Sequence, residues 1–109
     1  MNFEEYQNLA KRTAKYPEIG KGLVYPMLGL AGEAGEVANK VKKIFRDDGG
    51  VIKEERKEEI KKELGDLLWY IAQLATELDM PLDGIASSNI EKLSARLENN
   101  TIIGDGDNR

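Results

Sequence analysis

Two short segments hold the residues best suited to chemistry: Glu33-Ala34-Gly35-Glu36 and Glu63-Leu64-Gly65-Asp66. In each, two acids stand three residues apart, so in a helix both carboxylates leave the same face. Twenty-six residues lie between Glu36 and Glu63. That is enough to finish one helix, turn, and bring a second alongside the first. The expected result is four carboxylates converging at one place. Anions so arranged repel strongly unless a cation sits among them. Mg²⁺ and Mn²⁺ prefer oxygen ligands and suit such a cluster.

Composition narrows the chemistry further. The 109 residues include no cysteine and no histidine. The lack of cysteine removes disulfides, thiolate metal sites and thiol nucleophiles. The lack of histidine removes most zinc sites, the Ser-His-Asp triad and the Glu-x-x-His motif of di-iron bundles. Any reaction must run on carboxylates, amines, hydroxyls and a metal. The formal net charge of −4 argues against a nucleic-acid partner. No apolar run approaches the roughly 20 residues that span a bilayer, so no membrane partner is expected. Met1-Asn2-Phe3-Glu4-Glu5 does not read as a signal peptide. A cytoplasmic location is the default expectation.

The elements that must position the acids read as all-α. One domain is expected over 1–109, with 1–22 an N-terminal helix and connection, 23–99 the catalytic helices and 100–109 a tail. Asn2 can cap a first helix over about 3–16, and Pro17, Pro26 and Pro81 punctuate the chain. The second helix is expected from about Val24 to Phe45, and Asp47-Asp48-Gly49-Gly50 is a turn. The third helix reaches about Leu78, and the fourth covers about Leu82 to Glu98. The tail is too glycine-rich for a helix. At about 100° per residue, Leu23, Met27, Leu30, Ala34, Val37, Ala38, Val41, Ile44 and Phe45 form the apolar stripe of the second helix. Ile60, Leu64, Leu67, Leu68, Ile71, Leu74, Ala75 and Leu78 form that of the third. Both acid pairs fall on the same flank of their stripe. If the stripes pack together, the acids line one half-buried edge, and Lys40 and Tyr70 look into it.

A lone E-x-x-E says little, because surface acids are common in helices. These pairs stand out because they sit among apolar residues, share a flank, and each encloses a mid-helix glycine. Gly35 and Gly65 cost about 1 kcal/mol each relative to alanine, which close helix approach or ligand access would explain. By contrast Glu54, Glu55, Glu58 and Glu59 alternate with Lys53, Arg56, Lys57, Lys61 and Lys62 and read as a solvated face. Asn89, Lys92 and Arg96 share one face of the fourth helix, a polar and cationic stripe that suits phosphate. Trp69 lies outside its helix's stripe and is expected at a subunit interface. The tail's glycines and Arg109 could fold over a phosphate, or the terminus could fray.

Gly32-Glu33-Ala34-Gly35-Glu36-Val37, followed by Glu63-Leu64-Gly65-Asp66-Leu67-Leu68, resembles the E-x-x-E…E-x-x-D signature of MazG-type nucleoside triphosphate pyrophosphohydrolases. That all-α superfamily also contains dimeric dUTPases and phosphoribosyl-ATP pyrophosphohydrolases. The likeness covers about Leu23 to Leu97, and Asn89-Ile90-Glu91-Lys92-Leu93-Ser94-Ala95-Arg96 is similar to the family's N-x-x-K-L-x-x-R segment. Relatives often place an aromatic soon after that arginine, where this chain has Leu97-Glu98-Asn99.

The resemblance implies a four-helix, MazG-like bundle completed by homo-oligomerisation, as a dimer or tetramer. It implies Mg²⁺-dependent cleavage of an NTP or dNTP to the monophosphate and pyrophosphate, a nucleotide-pool house-cleaning role. Glu33, Glu36, Glu63 and Asp66 would be the metal ligands, and Tyr70, Asn89, Lys92, Arg96 and Lys40 would meet substrate. Without histidine, the base falls to a metal-activated water or to a cluster carboxylate, Glu36 ahead of Glu33. The rival readings are a dUTPase-like or phosphoribosyl-ATP-cleaving relative and a non-catalytic helical oligomer.

Overall fold

Asn2 starts the first helix with a reciprocal cap. Its Oδ1 accepts the Glu5 amide at 2.8 Å, and its own amide donates to Glu5 Oε1 at 3.0 Å. The computed structural model describes every residue from Met1 to Arg109 and contains four helices and no strand. They are α1 (Phe3–Arg12), α2 (Val24–Asp47), α3 (Glu54–Glu77) and α4 (Leu82–Glu98). The expectation for the first helix was too long. Thr13 Oγ1 turns back to donate to the Ala10 carbonyl at 2.7 Å, and the chain then dives inward so that Ala14 and Tyr16 are buried. Pro26 sits in the first turn of α2, where no intrahelical N–H bond is lost. Helices α3 and α4 end alike. Asp79 and Asn100 take left-handed φ of 56° and 55°, and the next amides, Met80 and Thr101, each reach back 2.8 Å to Ala75 and Arg96 carbonyls.

Helices α2 and α3 form a long antiparallel pair. Gly29 lies against Tyr70, Lys40 is 4.0 Å from Glu59 and Asp48 is 3.0 Å from Arg56, so steps up one helix match steps down the other. The seam is not the one the apolar stripes suggest. The seam of α2 runs along Pro26, Leu30, Glu33, Val37, Lys40 and Ile44, spaced alternately by four and three residues, and Gly29, Asn39 and Lys43 beside them are also half-buried. Glu33 therefore lies in the seam itself, with Glu63 half-buried across from it, while Glu36 and Asp66 stay exposed at its edge. The outer half of the stripe is left bare: Met27, Ala34, Ala38, Val41 and Phe45 are all exposed, and with Ala31, also exposed, they keep the same heptad spacing. On α3, Leu64, Ile71 and Leu78 are bare at seven-residue intervals, with exposures of 51, 37 and 48%.

Helix α3 is packed on two sides, which its single stripe did not reveal. Its second face meets α1 and the start of α4 around Ala10, Ala72 and Leu82. Trp69, which lies outside its helix's stripe, packs within the chain there: its Nε1 donates to Thr13 Oγ1 at 2.8 Å, and its ring meets Tyr16 and Tyr70 edge-on at 6.3 and 5.0 Å. Gln7 ties three elements together. Its amide donates to Thr76 Oγ1 and the Met80 carbonyl and accepts from the Leu82 amide at 2.8 Å. It thereby caps α4, whose own N-cap residue, Pro81, has no side chain able to do so. Glu77 accepts from Tyr16 Oη at 2.6 Å and from the Gly20 amide at 2.7 Å, pinning the connection between α1 and α2.

The charge run at the start of α3 is solvated as expected, apart from Arg56 and Glu59. Arg56 is half-buried and joins Asp47, Asp48 and Glu59 at 3.5, 3.0 and 3.2 Å, closing the α2–α3 turn. The core is nonetheless thin. Ten residues are buried, and the radius of gyration is 16.8 Å where about 13 Å is usual for a compact domain of this length. Among the helices, α2 touches α3 alone.

Candidate metal centre and phosphate site

The seam brings three of the four expected acids together. Carboxylate oxygens of Glu33, Glu63 and Asp66 all lie within 4.8 Å of one another. Glu33 and Glu63 are half-buried, and Asp66 is exposed. Glu36 stands outside this trio and is exposed. One turn beyond Glu33, it falls about 75° off the line of the seam at 100° per residue.

The cluster's electrostatics follow from its anions. Glu33 is pushed up to about 7, first by a side-chain hydrogen bond with Glu63, then through burial and the charges of Asp66, Glu63 and Glu36. None of the three forms an ion pair. Lys40, expected at this edge, is directed to Glu59 at 4.0 Å, one turn of α3 away from Glu63. Three oxygen-donor side chains without a counter-charge suit a hard divalent cation.

Two tyrosines border the acids. Tyr70 is pushed above its usual range by burial, then by Tyr25 and by the negative charges of Glu33 and Asp66. Its ring presses on α2 at Gly29, where a Cβ would overlap the ring atoms. Tyr6, on α1, is raised by burial and by Asp66. The glycines within the motifs behave differently from Gly29. A Cβ at Gly35 or Gly65 would meet nothing within 4 Å, so close packing inside the chain does not explain them.

The cationic face of α4 is already engaged by the tail. Lys92 Nζ lies 2.8 Å from Asp107 Oδ1. Arg96, 6% exposed, donates through Nη2 to the Asp107 carbonyl at 2.7 Å and to its Oδ1 at 3.1 Å. Asn89 is exposed on the same helix. Helices α4 and α2 do not touch. Sequence reasoning missed Gln7, Glu77, Gly29 and Asp107. Gly29 carried a signal, being the first of three small-residue steps, Gly29, Gly32 and Gly35, along α2; the others act across distances that no local pattern reports.

Comparison with known proteins agrees with this architecture. The chain is 48% identical over 114 aligned positions to the Gene 37 protein of Mycobacterium phage L5, and the alignment spans the full length of both. No solved structure matches it. Residues 25–101, which hold both acid pairs and the cationic face of α4, match the MazG nucleotide pyrophosphohydrolase domain, and the chain belongs to that family.

Proposed function

We propose that this chain hydrolyses a nucleoside or deoxynucleoside triphosphate to the monophosphate and pyrophosphate, with Mg²⁺ or Mn²⁺ held by Glu33, Glu63 and Asp66 and approached by Glu36. The observation that carries the reading is the uncompensated carboxylate trio, with oxygens within 4.8 Å, in a chain of this family. When bound, the cation neutralises phosphate charge and activates water for in-line attack. Glu33 is gathered into the trio with Glu63 and Asp66, so its oxygens would be taken up by the cation. Glu36, outside the trio, has its oxygens free to accept the proton of the attacking water. Tyr70, wedged over Gly29 beside the acids, lines the nucleotide's path. Lys92, Arg96 and Asn89 steady the phosphates, Arg96 by its fork and Lys92 as a point charge. Lys40 keeps Glu59 occupied and meets substrate from the end of the acid seam.

The working unit is a homo-oligomer, a dimer or tetramer. The bare heptads of α2 (Met27, Ala31, Ala34, Ala38, Val41, Phe45) and α3 (Leu64, Ile71, Leu78) support this. A two-helix face with that spacing completes a four-helix bundle against a second copy. A cytoplasmic, nucleotide-pool cleaning role accords with such an enzyme. The test is pyrophosphate release from a panel of NTPs and dNTPs with Mg²⁺. Release that requires the metal and disappears in Asp66→Ala is expected. Absence of release from every nucleotide at millimolar Mg²⁺ refutes the proposal.

A further inference from the structure

We propose that the C-terminal tail is a tethered competitor for the phosphate-binding face of α4, with the Asp107 carboxylate seated where a substrate phosphate binds. The proposal rests on the reading of Lys92 and Arg96 as phosphate ligands. Asp107 meets both cations with a single oxygen: Oδ1 is 2.8 Å from Lys92 Nζ and 3.1 Å from Arg96 Nη2. The tail is shaped to deliver it. Arg109 folds back onto the carbonyls of Thr101, Ile102 and Gly106. Gly106 takes a φ of 78°, a left-handed conformation that suits glycine. The result is a closed loop over Thr101–Arg109 that presents one carboxylate to the helix.

The loop has little structural purpose apart from this contact. Ile103 is 97% exposed, and no residue beyond Thr101 is even half-buried, so the loop adds nothing to the core. The Asp107 side chain is 77% exposed against an Arg96 side chain at 7%. An exposed surface anion thus sits on a buried cation. The fit is also incomplete. Arg96 Nε is buried with no hydrogen-bond partner, so Asp107 uses one branch of the guanidinium fork. A phosphate carries several oxygens on one centre and can engage both branches together with Lys92. Substrate therefore displaces the tail by making the bonds that the tail leaves unmade. The lowered pKa of Asp107, set first by Lys92 and then by Arg96, keeps the carboxylate charged wherever the enzyme would work.

A tethered competitor reduces apparent affinity by the fraction of time it occupies the site. An exposed ion pair of this kind is expected to cost about three- to tenfold in affinity. The test is calorimetric binding of inorganic pyrophosphate to the full chain, to Asp107→Ala, to a chain ending at Ile103, and to Lys92→Ala. Lys92 is part-exposed, so its loss leaves the fold intact. Both tail variants should bind pyrophosphate three- to tenfold tighter, and Lys92→Ala should bind it more weakly. In the full chain, ¹⁵N relaxation should show residues 104–109 becoming mobile when pyrophosphate saturates the protein. Unchanged or weaker binding by the tail variants, alongside a loss in Lys92→Ala, overturns the tail proposal and leaves the phosphate reading standing. Unchanged binding by Lys92→Ala overturns the phosphate reading itself. A tail that stays rigid with pyrophosphate bound also overturns the proposal.

Discussion

The proton on Glu33 makes metal-free stability fall as pH rises. The folded pKa is about 7 against an ordinary 4.5. Below 4.5 both folded and unfolded states hold the proton, so the cluster costs nothing. Between the two values the folded state keeps a proton that the unfolded state has released, and stability declines with each step in pH. Above 7 the decline is complete. At about 1.4 kcal/mol per unit, the shift is worth at most about 3.4 kcal/mol. Glu33 retains part of its contact with water, and solvent screening brings the expected loss to about 1–2 kcal/mol. For a domain of this length that is about 4–8 °C in melting temperature. The assay is calorimetry in EDTA from pH 4.5 to 8, on the wild type and on Glu33→Gln. The variant should match the wild type at pH 4.5 and melt several degrees higher at pH 8. The carboxylates with lowered pKa, Glu77 and Asp48 among them, lose their stabilisation only as pH falls through the acid range, so the two windows do not overlap. Mg²⁺ should restore the wild type at pH 8 and release protons as it binds near neutrality. Parallel pH profiles for the two proteins, with no proton release on metal binding, would refute the raised pKa of Glu33.

Gly29→Ala should cost about 1–3 kcal/mol, the usual range for overpacking, because a methyl group there displaces the Tyr70 ring; denaturant titration measures it, and Tyr70→Ala should rescue part of the loss. Gly65→Ala points the other way. With nothing within 4 Å of the new methyl, it should gain about 0.5–1 kcal/mol of helix stability, and a loss would mean that a neighbouring subunit packs closely there. Gln7→Ala strands the buried amide of Leu82 and should destabilise by about 1–3 kcal/mol, with faster hydrogen exchange at the start of α4. Light scattering at micromolar concentration should find an oligomer; a monomer with full helix content contradicts the role given to the bare heptads.

What was legible in the sequence was whatever depends on spacing along one helix. The four helices, the turn at Asp47–Gly50 and the ends of α3 and α4 near Asp79 and Asn100 all follow from local chemistry. The convergence of Glu33 with Glu63 and Asp66 was equally local. Two i, i+3 pairs on antiparallel helices need only the right register, and a turn of fixed length sets that register. Glu36 shows where the reasoning thins. A residue three positions away is also rotated by about 60° at 100° per residue, and which of the pair faces the partner depends on where the seam runs. The widest apolar arc did not decide that. Pro26, Leu30, Val37 and Ile44 lie on the seam with Glu33 and Lys40 between them, and the rest of the arc faces solvent.

That misplacement carries its own meaning. A helix that turns Glu33 into its seam and leaves Met27, Val41 and Phe45 in water keeps much of its apolar surface uncovered within the chain. Trp69, which lies outside the stripe of α3, is packed within the chain because α1 covers the second face of α3. So the surface left for a partner is the bare side of the α2–α3 pair, away from α1. Packing there would bury apolar residues on the same two helices whose seam holds the repelling carboxylates. The subunit contact and the cation would then oppose the same repulsion from two directions. The first would hold the helices together, and the second would neutralise the charge between them.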